Sequence, residues 1–153
     1  MILDTPFKQL AAVFLLSMVP VIELRGAVPA AMLYDFPWEV AYLVTVVGNM
    51  VPVPFIILFA RKIINWMKRW EKLRALAHRL EQKAHRNSKK LERFRWLGLC
   101  FLVAIPLPGT GAWTGALVAS VLQMRLRDAI SAIGAGCMIA GLIVTLISYG
   151  ILG

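Results

Sequence analysis

The feature that most constrains this chain is an interruption where none is expected. Residues 96–124 carry no charged side chain, yet the middle of that block reads Ile105-Pro106-Leu107-Pro108-Gly109-Thr110-Gly111. Proline lacks a backbone donor and its ring clashes with the preceding turn, so this run cannot continue an α-helix. In hydrocarbon every backbone N–H and C=O needs a partner inside the protein. Irregular backbone at membrane depth therefore points to a helix–loop–helix hairpin facing protein or a polar cavity.

The membrane itself follows from composition. Hydrophobic residues make up 59% of the 153 and charged residues 16%, with a mean hydropathy of +0.72. A soluble domain has roughly 45–50% apolar residues. A chain this small cannot hide the excess from water. A disordered chain, a coiled-coil rod and almost any soluble globular enzyme are thereby excluded.

Three further apolar blocks stand out. Residues 40–60 and 129–153 are free of charge and long enough to span, since about 20 apolar residues cross a bilayer. Block 9–34 is broken like 96–124, by Pro20, Glu23-Leu24-Arg25-Gly26 and Pro29. Both broken blocks read as re-entrant hairpins, with half-helices over 7–22 and 27–35, then 97–105 and 112–124. Ala41, Gly48 and Met50 recur as Ala129, Gly136 and Met138 at an offset of 88. The expected fold is an all-α integral membrane protein forming a single membrane domain. It has two inverted repeats, each a re-entrant hairpin plus one spanning helix: repeat one over 7–60, a basic amphipathic linker over 61–95, and repeat two over 96–153. Inverted repeats with broken helices are a transporter signature. Four plain spans are the alternative.

Charge supports the hairpins. Residues 61–95 hold thirteen Lys/Arg and three acids, Glu71, Glu81 and Glu92. Placed between apolar spans, this segment reads as a cytoplasmic loop near anionic headgroups, not as a nucleic-acid surface. Re-entrant hairpins put Arg125 and Arg127 on that same face, as the positive-inside rule prefers; plain spans do not. Both chain ends would lie outside, in a plasma membrane or bacterial inner membrane. Ile63, Trp70, Ala77, Ala84 and Leu91, with Trp66, Leu73, Leu80, Asn87 and Phe94, repeat at heptad spacing. That stripe suits the membrane surface or a twin helix in a homodimer. His78 and His85 fall on its polar side and read as solvated. Cys100 and Cys137 lie in apolar stretches and read as structural thiols; no metal site or cofactor is expected. The first apolar run does not resemble a cleaved signal peptide.

Glu23 and Arg25 carry the chemistry. A central charge costs about 2.5–3.5 kcal/mol on insertion scales. Two residues apart, they point to opposite sides of a regular helix, whereas an unwound tip lets both enter one cavity. They could neutralise each other and close the hairpin. In the functional reading Arg25 receives an anion, its planar fork matching phosphate or carboxylate, and Glu23 is the protonatable partner. Pro108, Gly109, Thr110 and Gly111 form a turn before a helix N-terminus, whose free N–H groups and dipole favour an anion. Thr110 and Thr114 are candidate donors to the same ligand; Trp113 packs or binds. Gly26 follows the charged pair at the first tip. Asn49, in Gly48-Asn49-Met50-Val51-Pro52-Val53-Pro54, either satisfies carbonyls freed by the prolines or faces the cavity. Small residues at four-residue spacing (Gly111, Gly115, Ala119 and Ala132, Gly136, Ala140) read as packing. No nucleophile triad, phosphate loop or acidic metal cage is present, so catalysis is not expected.

At Glu23-Leu24-Arg25-Gly26-Ala27-Val28-Pro29, Gly48-Asn49-Met50-Val51-Pro52 and Pro106-Leu107-Pro108-Gly109-Thr110-Gly111-Ala112-Trp113-Thr114-Gly115, the sequence resembles the putative small multidrug export protein family. That family looks distantly similar to DedA/VTT membrane proteins, which share paired re-entrant hairpins with acidic and arginine residues. The wider likeness implies proton-coupled movement of lipid phosphates, although the arginine DedA proteins carry near their second hairpin has no counterpart in 110–114. The expected function is a proton-coupled transporter or lipid flippase for an anionic substrate, with its site at the two tips. Alternatives are a cationic drug exporter using Glu23, and a non-transporting scaffold binding lipid or a partner through 61–95.

Overall fold

The computed structural model describes residues 5–70, 74–76, 78–79 and 89–151, without the side chains of 89–91 and 151. They form helices joined by turns and short loops, with no strand among them. Among the described residues, seven helices with defined bounds follow in order: α1 Pro6–Met18, α2 Glu23–Leu33, α3 Trp38–Met50, α4 Pro52–Met67, α5 Lys89–Ala104, α6 Ala112–Val121 and α7 Leu126–Ile151.

Breakers set the boundaries. Pro6 opens α1, where its missing N–H costs nothing. The residue before a proline is pushed out of the helical region; Val19, before Pro20, is extended and ends α1 at Met18, short of the expected Ile22. The second half-helix starts at Glu23, so Arg25 and Gly26 are helical and not in an unwound tip, and Glu23 is the residue at which the helix opens. Pro106 and Pro108 fall between α5 and α6, as expected. Only Val51, itself helical, separates α3 from α4, leaving a nearly continuous apolar rod, Trp38–Met67. α4 thus carries helix beyond residue 61, where the basic linker was expected to begin. The heptad positions 73, 77, 80, 84 and 87, and His85, lie outside the described residues.

The Trp38–Met67 rod and Leu126–Gly150 are both long and apolar enough to cross a bilayer. At 1.5 Å per residue, α1, α2 and α6 each fall short of the roughly 30 Å hydrocarbon core.

Backbone geometry recurs at a spacing of 88 residues. α2 ends at Leu33 and α6 at Val121; α3 begins at Trp38 and α7 at Leu126. Asp35 (φ 59°) and Gln123 (φ 51°) are both left-handed. Phe36 N–H donates to the Ala31 carbonyl and Asp35 N–H to Met32; Met124 N–H donates to Ala119 and Gln123 N–H to Ser120. Both helices therefore end in the same Schellman motif.

Contacts at the rod ends fix which turn neighbours which. The Arg61 guanidinium donates to the Met124 carbonyl, so the turn after the second hairpin lies beside the charged end of α4. Tyr149 Oη–H donates to the Phe36 carbonyl at 2.8 Å, so the turn after the first hairpin lies beside the end of α7. Small residues let the first helix of each hairpin approach its rod. A Cβ on Gly48 would lie 2.8 Å from the Phe14 carbonyl and collide with the Ser17 hydroxyl. A Cβ on Gly136 would lie 2.7 Å from the Cys100 carbonyl and 2.7 Å from Val103. The larger core joins α2, α4, α5, α6 and α7 through Leu24, Ile57, Val103, Ala116, Ile133 and Cys137. Outward, Phe7, Val21, Leu33, Phe55, Phe59, Phe101 and Leu146 are exposed, an apolar surface suited to lipid and costly in water.

Candidate functional site

The two hairpin turns meet. Glu23 opens α2 in the left-handed region, φ 48°, uncommon for a residue with a side chain. It is 4% exposed. Its carboxylate oxygen Oε1 accepts from Trp113 N–H at 3.3 Å, in the first turn of α6. Gly111, at φ 135°, leaves the space: a Cβ there would overlap the carboxylate, with Cδ at 2.7 Å. Free N–H groups and the helix dipole make this end favourable for an anion. The acidic group seated there is the chain's own Glu23 side chain.

Arg25 crosses between the hairpins. Its Nη1 donates to the Thr110 carbonyl at 2.6 Å, and Nη2 to the Thr110 hydroxyl at 2.8 Å and the Ile105 carbonyl at 3.4 Å. Nη1 stands 3.9 Å from Glu23 Oε2. The expected Glu23–Arg25 proximity is therefore present, but the guanidinium bonds mainly to the second hairpin. Its Nε is buried with no acceptor among the described residues.

The remaining candidates divide. The Thr110 hydroxyl has the Ile105 and Leu107 carbonyls at 2.7 and 2.8 Å, and the Thr114 hydroxyl donates to the Gly109 carbonyl at 2.9 Å. Both hydroxyls donate within their own hairpin, and that of Thr110 also accepts from Arg25. Pro108 and Gly109 (φ 84°) make the turn. Trp113 does more than pack: its indole N–H donates to the Met18 carbonyl at 3.0 Å. Gly26 lies within α2, where a Cβ would press on Ile22 at 2.5 Å. Asn49 is fully buried; its Nδ2 lies 3.7 Å from Cys137 Sγ, and its Oδ1 has no partner among the described residues. Neither role expected for Asn49, proline-freed carbonyls or cavity, corresponds to that contact.

Sequence reasoning missed the acceptors. Met18 and Ile105 contribute carbonyls from the ends of helices, which leave such groups unsatisfied. Pro20 and Pro106, which end those helices, were the available signal. An open apolar groove of about 750 Å³ runs from Met18 and Trp113 past Val51, Phe55 and Phe59 to Lys62.

Paired helical hairpins, two helices long and apolar enough to cross a bilayer, and a buried acid–arginine contact where the hairpin turns meet give the described residues the all-helical character of a membrane protein. The chain belongs to the family described as "Putative small multi-drug export protein", whose model matches residues 23–143 and begins at Glu23 itself. Searches of curated proteins and of solved structures returned no match.

Proposed function

We propose that this chain is a membrane transporter whose two hairpins are re-entrant, inverted repeats meeting near the bilayer midplane, and whose substrate site is the Glu23–Arg25–Thr110–Trp113 contact. The 88-residue recurrence of helix ends and left-handed turns supports the repeat. The Arg61–Met124 and Tyr149–Phe36 contacts support re-entry, because four plain spans would place each turn at the opposite end of the neighbouring rod. The family's printed description supports export.

One observation carries the reading: a carboxylate, 4% exposed, occupies the N-terminus of α6. An anionic substrate competes with Glu23 for the α6 N–H groups and for Arg25. Protonation of Glu23 weakens its hold on that helix end and frees the place. Proton and substrate binding both favour separation of the hairpins, so each raises the affinity for the other; thermodynamic linkage then supplies proton coupling. The groove to Lys62 gives an apolar tail a path from the lipid, which fits a lipophilic anion, a lipid phosphate among them. In this reading the charged end of α4 faces the cytoplasm, membrane lipids surround the rods, and no catalysis is involved. A homodimer would enlarge the polar space between hairpins.

A second reading draws on the aromatic lining of the groove, Phe55, Phe59 and Trp113, and on the family's description. Lipophilic cations would stack there and use Glu23 as counter-charge. Proteoliposome transport at several pH values separates the two. Anion transport lost in Arg25→Lys, and pH dependence lost in Glu23→Gln, support the first. Cation transport that survives Arg25→Lys but not Glu23→Gln supports the second. Wild-type rates in both variants overturn the site.

A further inference from the structure

A polar cavity of about 200 Å³ lies away from the hairpin turns, lined by Arg61, Ile64 and Asn65 on α4, by Lys68 at its C-cap, by Ser120 on α6 and by Gln123 just past it. Arg61, Asn65 and Lys68 fall at i, i+4 and i+7, so they share one face of the helix. Across from them, the Schellman turn places Gln123 in the left-handed region. Glu92 and Asp128 line a separate cavity of about 150 Å³ together with Arg95 and Arg125. Among the described residues, the first cavity is therefore lined by two cations and no acid.

Arg61 shows what is missing. Its Nη2 is committed to the Met124 carbonyl. Its Nε is buried without an acceptor among the described residues. A buried charged donor left without an acceptor is rare and calls for a ligand or water. The Ser120 hydroxyl spends its hydrogen on the Ala116 and Ile57 carbonyls, at 2.7 and 3.3 Å, so it offers a ligand no donor. Depth narrows the choice. The cavity lies where the apolar Trp38–Met67 rod acquires its charges, at Arg61 and Lys62 with Lys68 just beyond; for a rod that crosses the bilayer, this is the level of the phospholipid phosphates. A guanidinium fork beside a point-like ammonium is a phosphate-binding pair.

We propose that this cavity binds a phosphoryl group, with Arg61 and Lys68 as its cationic ligands and Asn65 as a neutral donor. The same chemistry is offered by an anionic phospholipid headgroup and by free phosphate. The site stands apart from Glu23 and Arg25, and its existence does not depend on the transport reading.

The test measures thermal unfolding of the full chain in neutral detergent micelles. One titration adds phosphatidic acid or phosphatidylglycerol as mixed micelles, with phosphatidylcholine as reference; another adds inorganic phosphate, with chloride at equal ionic strength. The unfolding midpoint should rise with one of these phosphate sources. The apparent affinity should fall at least about tenfold in Arg61→Gln and in Lys68→Gln, as expected for loss of a charge-assisted hydrogen bond. Arg69→Gln, at an exposed cation on the same stretch, should bind as wild type does. Lys68→Gln keeps the test open if Arg61→Gln, which also loses the bond to Met124, fails to fold. A response to lipid alone assigns the headgroup, and a response to inorganic phosphate assigns the free ion. No response to either source, or equal losses in Arg69→Gln and Lys68→Gln, overturns the proposal.

Discussion

Arg25 and Trp113, 88 residues apart like Asn49 and Cys137, brace the hairpins reciprocally. The Arg25 guanidinium donates to the Ile105 carbonyl, and the Trp113 indole donates to the Met18 carbonyl. Each acceptor lies at the end of the other hairpin's first helix. Two helix ends that proline leaves without intrahelical partners are thus closed from across the contact.

That geometry makes Arg25 structural as well as functional. Arg25→Ala should lower unfolding stability by about 1.5–3 kcal/mol, the range for hydrogen bonds involving a charged group. Arg25→Lys should recover part of that loss, because one ammonium cannot reproduce bonds from both Nη1 and Nη2. Chemical denaturation in detergent would check both values.

Gly111 and Glu23 should be energetically coupled. Gly111→Ala meets the carboxylate and also the left-handed backbone, so it should destabilise the wild type. In a Glu23→Ala background only the backbone penalty remains. A double-mutant cycle should give a coupling of about 0.5–3 kcal/mol; strict additivity would contradict the contact.

Two glycines on α7 should respond in opposite ways. Gly136→Ala forces its Cβ against the Cys100 carbonyl and Val103, at a cost of about 1–3 kcal/mol for overpacking. Gly134→Ala meets only Met50 Cε, at 3.6 Å, and should be neutral or stabilise by about 0.4–1 kcal/mol through the unfolded state. Thermal unfolding of the pair compares them within one helix.

Asp35→Gly should stabilise. Asp35 holds the left-handed position after α2, a conformation costing about 1–2 kcal/mol for most L-residues and less for Asp or Gly. A gain of a few tenths of a kcal/mol or more in unfolding free energy is expected.

Topology is checked by labelling. In a background with Cys100 and Cys137 replaced, Arg69→Cys and Arg125→Cys should react with an impermeant thiol reagent from the same face, and Asp35→Cys from the other. Opposite faces for positions 69 and 125 would restore four plain spans.

The breakers in the sequence were enough to divide both interrupted blocks, because Pro20, Pro106 and Pro108 forbid continuous helix in any context. Glu23 and Arg25 were legible as partners because charge in an apolar block demands one. Their conformation was not. Nothing in Ile22-Glu23-Leu24 announces a left-handed glutamate, and the helix begins there because Val19 and Ile22 supply carbonyls to Glu23 and Gly26. Backbone acceptors such as Met18 and Ile105 have no residue signature. The Asn49–Cys137 contact was hidden for a related reason: the alignment at offset 88 pairs unlike side chains there, although the flanking glycines and methionines agree. Arg61 lay within a run of cations, so only tertiary structure distinguishes it from its neighbours.

The reciprocal bracing has a consequence for biosynthesis. Arg25 and Thr110 are 85 residues apart in sequence, so at ordinary elongation rates the first hairpin waits on the order of ten seconds for the acceptors that will receive its guanidinium. Until then a nascent chain bearing Glu23 and Arg25 must be sheltered by the insertion machinery or by hydrated headgroups. Maturation is complete only when the second hairpin leaves the ribosome, so truncations upstream of Thr110 should be prime targets for quality-control proteolysis.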